Sequence, residues 1–387
     1  MKIVFVVGSL PDVPGGGERV LRDVACGLAA RGHQVWVLHF GKSPATGFYE
    51  FGHSGLHTEA LALKTRDRMA CAVSKSVASW RGDDETMFWA KHLGGRVALR
   101  RRLSEIGPDV AVGFMGVGVC TLGPVAKELG LPWIASLHNA PEKLFRPETG
   151  KALATQRIIL DASAIGFPLA EHFADLAKRR PEREVVLPNP VALPDCVPEA
   201  PRERLCLAVG RLVPVKRFDL LISAWAIVAE REPDWRLDIL GEGPDHAALS
   251  AQIAELGLET SVTLRGPRKD VSAFYQRAAM LLHPARFEGF GLVLAEGMGQ
   301  GLPVIGSAET SGVRSLVRDG VNGRLLPGPL TAEAMAEAVL ELIGAPERLA
   351  RLQENAPATV ADYAPQRAID RWEAVLRQTV APSGPAG

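Results

Sequence analysis

Two carboxylates stand eight positions apart in the stretch Arg286-Phe287-Glu288-Gly289-Phe290-Gly291-Leu292-Val293-Leu294-Ala295-Glu296, which runs on to Gly301-Leu302-Pro303-Val304. The apolar run 278–282 before it reads as a buried strand, Gly289 and Gly291 let the backbone turn, and 292–298 has helical character. Eight residues of helix rise roughly 12 Å, so Glu288 and Glu296 do not form a close dyad sharing one proton. They suit the two ends of one elongated, hydroxyl-rich ligand. Upstream, a strand ending at Gly210 delivers Arg211 to a loop, and Lys216 stands near the start of the next helix. Both cations reach a site at the C-terminal end of that strand, where a diphosphate fits. Breaking a bond to a phosphate leaves negative charge on it, and a fixed Arg and Lys stabilise that charge without a metal. The neighbouring Arg217 reads as surface.

From 286 to 304 the sequence resembles the sugar-nucleotide-dependent enzymes of glycosyltransferase family 4, in which a Glu-x7-Glu motif precedes a small-residue segment and Gly-x-Pro-Val. Gly297 and Gly299 stand where that family commonly has Ala, which loosens the helix and removes no functional group. The resemblance implies that Glu288 lies at the donor sugar, that Glu296 binds the ribose hydroxyls, and that Gly289, Phe290, Gly291 and Leu292 meet the donor nucleotide. Gly210, Arg211, Leu212 and Lys216 match the family's Gly-Arg-Leu-x-x-x-Lys, which implies that the two cations hold the diphosphate. It extends over nearly the whole chain and is densest from about 205 to 328.

Near the N-terminus, Pro14-Gly15-Gly16-Gly17-Glu18-Arg19 directly follows the first strand. Its glycines let backbone N–H groups approach a phosphate at the positive end of the following helix. It is not the Gly-x-Gly-x-x-Gly fingerprint; the resemblance implies that Gly16 and Gly17 approach the donor diphosphate and acceptor. Ser136-Leu137-His138-Asn139 ends another strand, and the resemblance makes His138 a donor-sugar or acceptor contact. Leu240-Gly241-Glu242-Gly243-Pro244 and Arg265-Gly266-Pro267-Arg268 are similar to the family's nucleotide loops, which assigns base recognition to Arg265 and Gly266.

To hold these residues the chain must alternate strands and helices, and it does so in the manner of parallel α/β domains. Strands are expected at 3–7, 35–40, 110–114, 132–137, 205–209, 236–240, 261–264, 280–283 and 304–305. A helix is expected at 18–30, with Val20, Leu21, Val24 and Leu28 on one face, and another at 366–380, with Ile369, Trp372, Val375 and Leu376 at helical spacing. Pro188 and Pro190 bracket Asn189 and mark a hinge. A chain of 387 residues exceeds one ordinary core. The reading is therefore an α/β protein of two domains, 1–188 and 189–365, and the resemblance implies the GT-B arrangement: two Rossmann-like domains facing across a cleft, the first for the acceptor and the second for the nucleotide sugar. The resemblance implies that 366–387 returns to the first domain, with Trp372 as its anchor, and the tail 382–387 reads as disordered.

The formal net charge is zero, but residues 1–188 hold 24 Lys and Arg against 19 Asp and Glu. That excess is too mild for nucleic acid, and it suits an anionic acceptor or membrane surface. From 64 to 102, ten basic residues against four acidic ones interleave with Trp80, Phe88 and Trp89, a pattern that either docks on lipid headgroups or forms ordinary charged helices. Cys26, Cys71, Cys120, Cys196 and Cys206 are scattered with no Cys-x-x-Cys pair, so neither a zinc knuckle nor a disulfide framework is expected. The apolar segment 2–7 is too short for a signal peptide or a membrane span. No Asp-x-Asp or His-Glu-x-x-His occurs; no metal or other cofactor is expected, and no Gly-x-Ser-x-Gly elbow supports a serine nucleophile.

The reading is a cytoplasmic enzyme, either free or peripheral at the inner face of the plasma membrane, and the resemblance implies that it moves a hexose or N-acetylhexosamine from a UDP- or GDP-sugar, UDP preferred, with retention. The acceptor is a saccharide or a polyprenyl-diphosphate-linked hydroxyl in cell-surface polysaccharide synthesis. The rival readings are a GT-B sugar-nucleotide epimerase, whose acid/base carboxylates in the first domain have no motif here, and a non-catalytic sugar-nucleotide-binding protein.

Overall fold

The structure, a computed structural model, describes residues 1–10, 15–40, 49–62, 72, 84–138, 150–174, 179–194, 201–268 and 270–381. The chain divides into two compact units, 1–190 with 365–387 and 191–364.

In the first unit the order is β1 Lys2–Val7, α1 Gly16–Ala30, β2 Gln34–His39, β3 Leu56–Ala60, α2 Asp84–Ile106, β4 Val110–Phe114, α3 Met115–Leu129, β5 Trp133–Ser136, α4 Gly150–Leu160, β6 Ala164–Phe167 and β7 Glu184–Val186. The seven described strands are all parallel, in the order β3-β2-β1-β4-β5-β6-β7. Central strands of such a sheet are covered on both faces, so they must be apolar throughout. Ile3 to Val7 and all of β4 are buried accordingly.

The second unit runs β8 Leu205–Val209, α5 Phe218–Arg231, β9 Arg236–Leu240, α6 His246–Glu255, β10 Val262–Gly266, α7 Ser272–Arg277, β11 Met280–His283, α8 Leu292–Gly299, β12 Val304–Ser307, α9 Ser311–Leu316, β13 Gly323–Leu326, α10 Ala332–Ile343 and α11 Pro346–Asn355. Its six described strands are again parallel, ordered β10-β9-β8-β11-β12-β13. Both orders are the doubly wound one, which reverses direction beside the first strand of each unit and leaves a crevice at the C-terminal strand ends there. Those switch points fall between β1 and β4 and between β8 and β11.

The last helix, α12 Pro365–Val380, belongs to the first unit. Its stripe Ala368, Ile369, Trp372, Val375 and Leu376 is buried. A Cβ on Gly27 of α1 would lie 2.7 Å from Ile369 Cδ1, so the two helices touch where α1 has no side chain. Trp372 is fully buried, packs 6.1 Å from the Phe5 ring and donates its indole N–H to Pro188 O at 3.0 Å.

Where it is described, the segment 64–102 follows the reading as ordinary charged helix. Phe88 is in the core, Arg96 lies over the Trp89 ring at 4.4 Å, and Arg102 pairs with Glu59 at 2.8 Å. These side chains hold α2 against its own unit. Trp80, the basic positions 64, 66, 68, 75 and 81, and the tail 382–387 lie outside the described residues.

Candidate functional site

The switch point of the second unit gathers the charged motif residues. After β8 the chain passes Gly210 and the exposed Arg211, then makes a short turn over Pro214–Lys216 into α5. Leu212, buried, pins this loop from below by donating its N–H to Glu242 O at 2.8 Å. A Cβ on Gly241 would run into Gly210 O, and one on Gly243 into Leu212 O, so the glycines of the β9 loop exist to let two loops pack backbone to backbone. Arg286 N–H donates to Val215 O at 2.9 Å and brings the β11 loop alongside.

That contact delivers the central feature. Lys216 Nζ lies 2.6 Å from Glu288 Oε2, with both side chains about one-sixth exposed at 17% and 16%. His283, at the buried end of β11, places Nε2 3.3 Å from the same oxygen. Burial opposes the Glu288 charge, but Lys216 and His283 outweigh it and hold the carboxyl well below the ordinary carboxylate range. Burial lowers the pKa of His283 despite Glu288, so the imidazole is neutral and Glu288 is an anion at neutral pH. Glu296, eight residues on, is buried in the second turn of α8 and accepts from Tyr275 Oη at 3.4 Å. Gly291, left-handed at φ 87°, starts α8, and Phe290 is buried against the Tyr363 ring at 4.9 Å.

Two sequence assignments change. Arg217 is not a surface cation: it ion-pairs with Glu309 at 3.2 Å and donates to Leu330 O at 2.8 Å. Arg265 does not present its side chain for base recognition. The β9–β10 register shifts between Leu264 and Gly266, and the guanidinium turns onto the buried Asp238 at 2.9 Å. There it lines a charged cavity of about 190 Å³ with Glu203, Arg204, Asp234 and Arg236, at the N-terminal ends of β8 and β9. Gly266 remains at the C-terminal end of its strand, accepting Gly241 N–H at 3.0 Å.

In the first unit Gly15 is the N-cap of α1, so the N–H groups of Gly16 and Gly17 lie in its first turn at the positive helix end, where the Glu18 carboxylate folds back toward Gly15. Met115 Sδ stands 2.7 Å from where a Cβ on Gly17 would be, and Met115 itself is left-handed at φ 59°. His138 follows β5, stacks on Phe114 at 4.2 Å and shares a hydrogen bond between Nε2 and Ser136 Oγ at 2.9 Å. Desolvation by this packing, opposed by Asn189 and reinforced by His172, brings its pKa down to about 3. It is therefore a neutral hydrogen-bonding group at physiological pH.

Sequence reasoning missed Tyr275, His283 and Glu309. Only His283 carried a local signal, standing five residues before Glu288 at the end of an apolar strand.

The family described as Glycosyl transferases group 1 matches residues 197–359, and the one described as Glycosyltransferase Family 4 matches residues 14–194. The chain belongs to glycosyltransferase family 4. Among relatives of this family 4 chain, an exopolysaccharide phosphotransferase of Streptomyces coelicolor is 27% identical over 98% of the chain and 41% of that protein. An alpha-D-kanosaminyltransferase of Streptomyces kanamyceticus is 28% identical over 76% of the chain and 82% of that protein. The chain spans less than half the length of the first curated relatives it matches. Its fold is shared with Anabaena HepE in complex with UDP-glucose, at a TM-score of 0.76 and 20% identity over 98% of this chain and 100% of that one. Both units thus have the α/β, Rossmann-like architecture of GT-B proteins.

Proposed function

We propose that this family 4 protein is a retaining glycosyltransferase that moves a hexose or N-acetylhexosamine from a nucleotide-diphosphate sugar to a saccharide or lipid-linked hydroxyl. The observation that carries it is the Lys216–Glu288 pair at the switch point of the second sheet, with Arg211 exposed on the same loop. The diphosphate sits against Arg211 and Lys216, the sugar against Glu288, and the ribose hydroxyls against Glu296 in α8. The main chain of Gly266, Gly289, Phe290, Gly291 and Leu292 receives the rest of the nucleotide. In the first unit we assign the acceptor to Gly16, Gly17 and the neutral His138.

As the bond from the anomeric carbon to the phosphate oxygen breaks, charge grows on the phosphate, and two fixed cations stabilise it without a metal. The acceptor hydroxyl attacks on the same face, and its proton passes to a phosphate oxygen of the leaving diphosphate. UDP is the favoured nucleotide because the HepE structure of the same fold holds UDP-glucose. Polysaccharide synthesis is favoured by the exopolysaccharide relative. No helix among the described residues is long and apolar enough to cross a membrane, and we place the acceptor at an anionic membrane face contacted peripherally.

The test is incubation of the protein with a panel of UDP- and GDP-sugars and lipid extract, with products read by mass spectrometry and the new anomeric coupling by NMR. A product of retained configuration from a UDP-sugar is expected. Release of free sugar or an isomerised donor with no acceptor product would refute transfer.

A further inference from the structure

Three loops of the second unit meet pairwise around Lys216 and Glu288. Arg286 N–H donates to Val215 O at 2.9 Å and joins the β8 and β11 loops. Gly312 N–H donates to Glu288 O at 3.2 Å and joins the β11 and β12 loops, an approach open only to glycine, since a Cβ at 312 would lie 2.8 Å from that oxygen. The third side is closed by side chains. Arg217 Nη1 donates to Glu309 Oε2 at 3.2 Å while Nη2 donates to Leu330 O at 2.8 Å. The same Glu309 oxygen accepts from Ser307 Oγ at 3.1 Å and from Leu330 N–H at 3.2 Å. Burial works against the Glu309 charge, but the Leu330 N–H, the Ser307 hydroxyl and Arg217 outweigh it and lower its pKa.

Arg217 achieves this in a left-handed conformation, φ 54° and ψ 41°, which among the described residues it shares with Met115 as a non-glycine of positive φ. An L side chain is strained there and glycine is not. A bare turn into α5 has no use for an arginine in that position. What keeps it is the side-chain tether, and the tether fixes the peptide joining Arg217 to Lys216.

We propose that Arg217, anchored by Glu309, is a positioning residue that holds the Lys216 turn in the strained conformation bringing Nζ within 2.6 Å of Glu288. Its kinetic consequence rests on the transferase reading above; its geometric consequence does not. Arg217→Gly relieves the backbone strain while removing the tether, so it separates the two roles. In the full-length protein we expect Arg217→Gly to melt at the parent temperature or above it, yet to lower kcat by about tenfold or more with donor KM changed less than threefold. Glu309→Gln should lower kcat in the same direction, and Arg217→Lys, which keeps one cationic donor, should recover part of it. A crystal structure of Arg217→Gly should show Lys216 Nζ more than about 4 Å from Glu288, beyond ion-pair reach. A retained Lys216–Glu288 contact, or a lowered melting temperature with unchanged kcat, would overturn the proposal. Should the parent turn over no nucleotide sugar, the transferase reading fails while the crystal structure still decides this one.

Discussion

The charged residues of the second unit divide their work by burial. Lys216 and Glu288 neutralise each other behind one-sixth exposed side chains, while Arg211 meets solvent. A donor diphosphate therefore meets one cation paired with a carboxylate and one that faces solvent. Replacing either Arg211 or Lys216 by Ala should lower turnover by about 10²–10³, the scale of one preorganised charge stabiliser. EDTA should leave the parent rate unchanged, and a strict divalent-metal requirement in stopped assays would contradict the two-cation assignment. Glu296 is buried with Tyr275 Oη at 3.4 Å. Glu296→Gln should weaken UDP binding by roughly 1.5–3 kcal/mol, the range for hydrogen bonds to a charged group. Calorimetry reads this directly, and unchanged affinity for UDP and GDP would remove Glu296 from the ribose site.

At the scale of elements, α12 is the one to test. Trp372 fills the space beside Phe5, so Trp372→Ala should cost about 3–5 kcal/mol of unfolding free energy for the first unit, seen by denaturant titration. At the helix surface Glu373 receives Arg377, Arg31 and His33, which bring its pKa down to about 2 against the opposing effect of burial. Its folded pKa lies below its unfolded one, so its stabilising contribution is complete above about pH 4.5 and disappears as the pH falls toward 2. Acid titration of Glu373→Gln should show a shallower loss of stability across that window than the parent. The sequence revealed the elements unevenly for a related reason. β8 and β11 sit inside a sheet and read as apolar runs, and β9 keeps Leu237, Ile239 and Leu240 buried around its Arg236 and Asp238. β3, β7 and β13 lie at sheet edges, half covered, and carry His, Glu or Arg within three to five residues. The internal β6 has only four residues, one of them glycine. The site was legible where its residues share one segment, as Glu288 and Glu296 do, or recur in a spaced pattern, as Arg211 and Lys216 do. Tyr275 and Glu309 reach their partners across 21 and 92 positions, and no local pattern encodes such distances. The pairing of Arg265 with Asp238 was not legible because a shift of strand register is invisible before pairing is known.

Over the whole molecule, the balanced net charge hides an excess of five basic residues in 1–188 and an equal acidic excess in the remainder. The described surface of α2 still carries Arg100, whose side chain is 63% exposed beside Glu128. The protein should float with phosphatidylglycerol vesicles at low salt and leave them as salt rises, since a basic residue near the surface contributes about 1 kcal/mol and is screened beyond a Debye length. Arg100→Glu with Arg101→Glu should abolish flotation without changing UDP affinity. Equal recovery with neutral and anionic vesicles would instead favour a soluble acceptor. The chain path sets a further condition. It leaves the first unit at Pro190 and re-enters it at Pro365. During synthesis the ribosome emits β1 near the start and its helical partner α12 near the end, with the continuous second unit between them. Phe5 and Pro188, made early, wait uncovered for Trp372 to emerge. A chain stopped before residue 365 lacks α12, so the first unit, although made first, is left without the helix that covers Phe5 and Pro188.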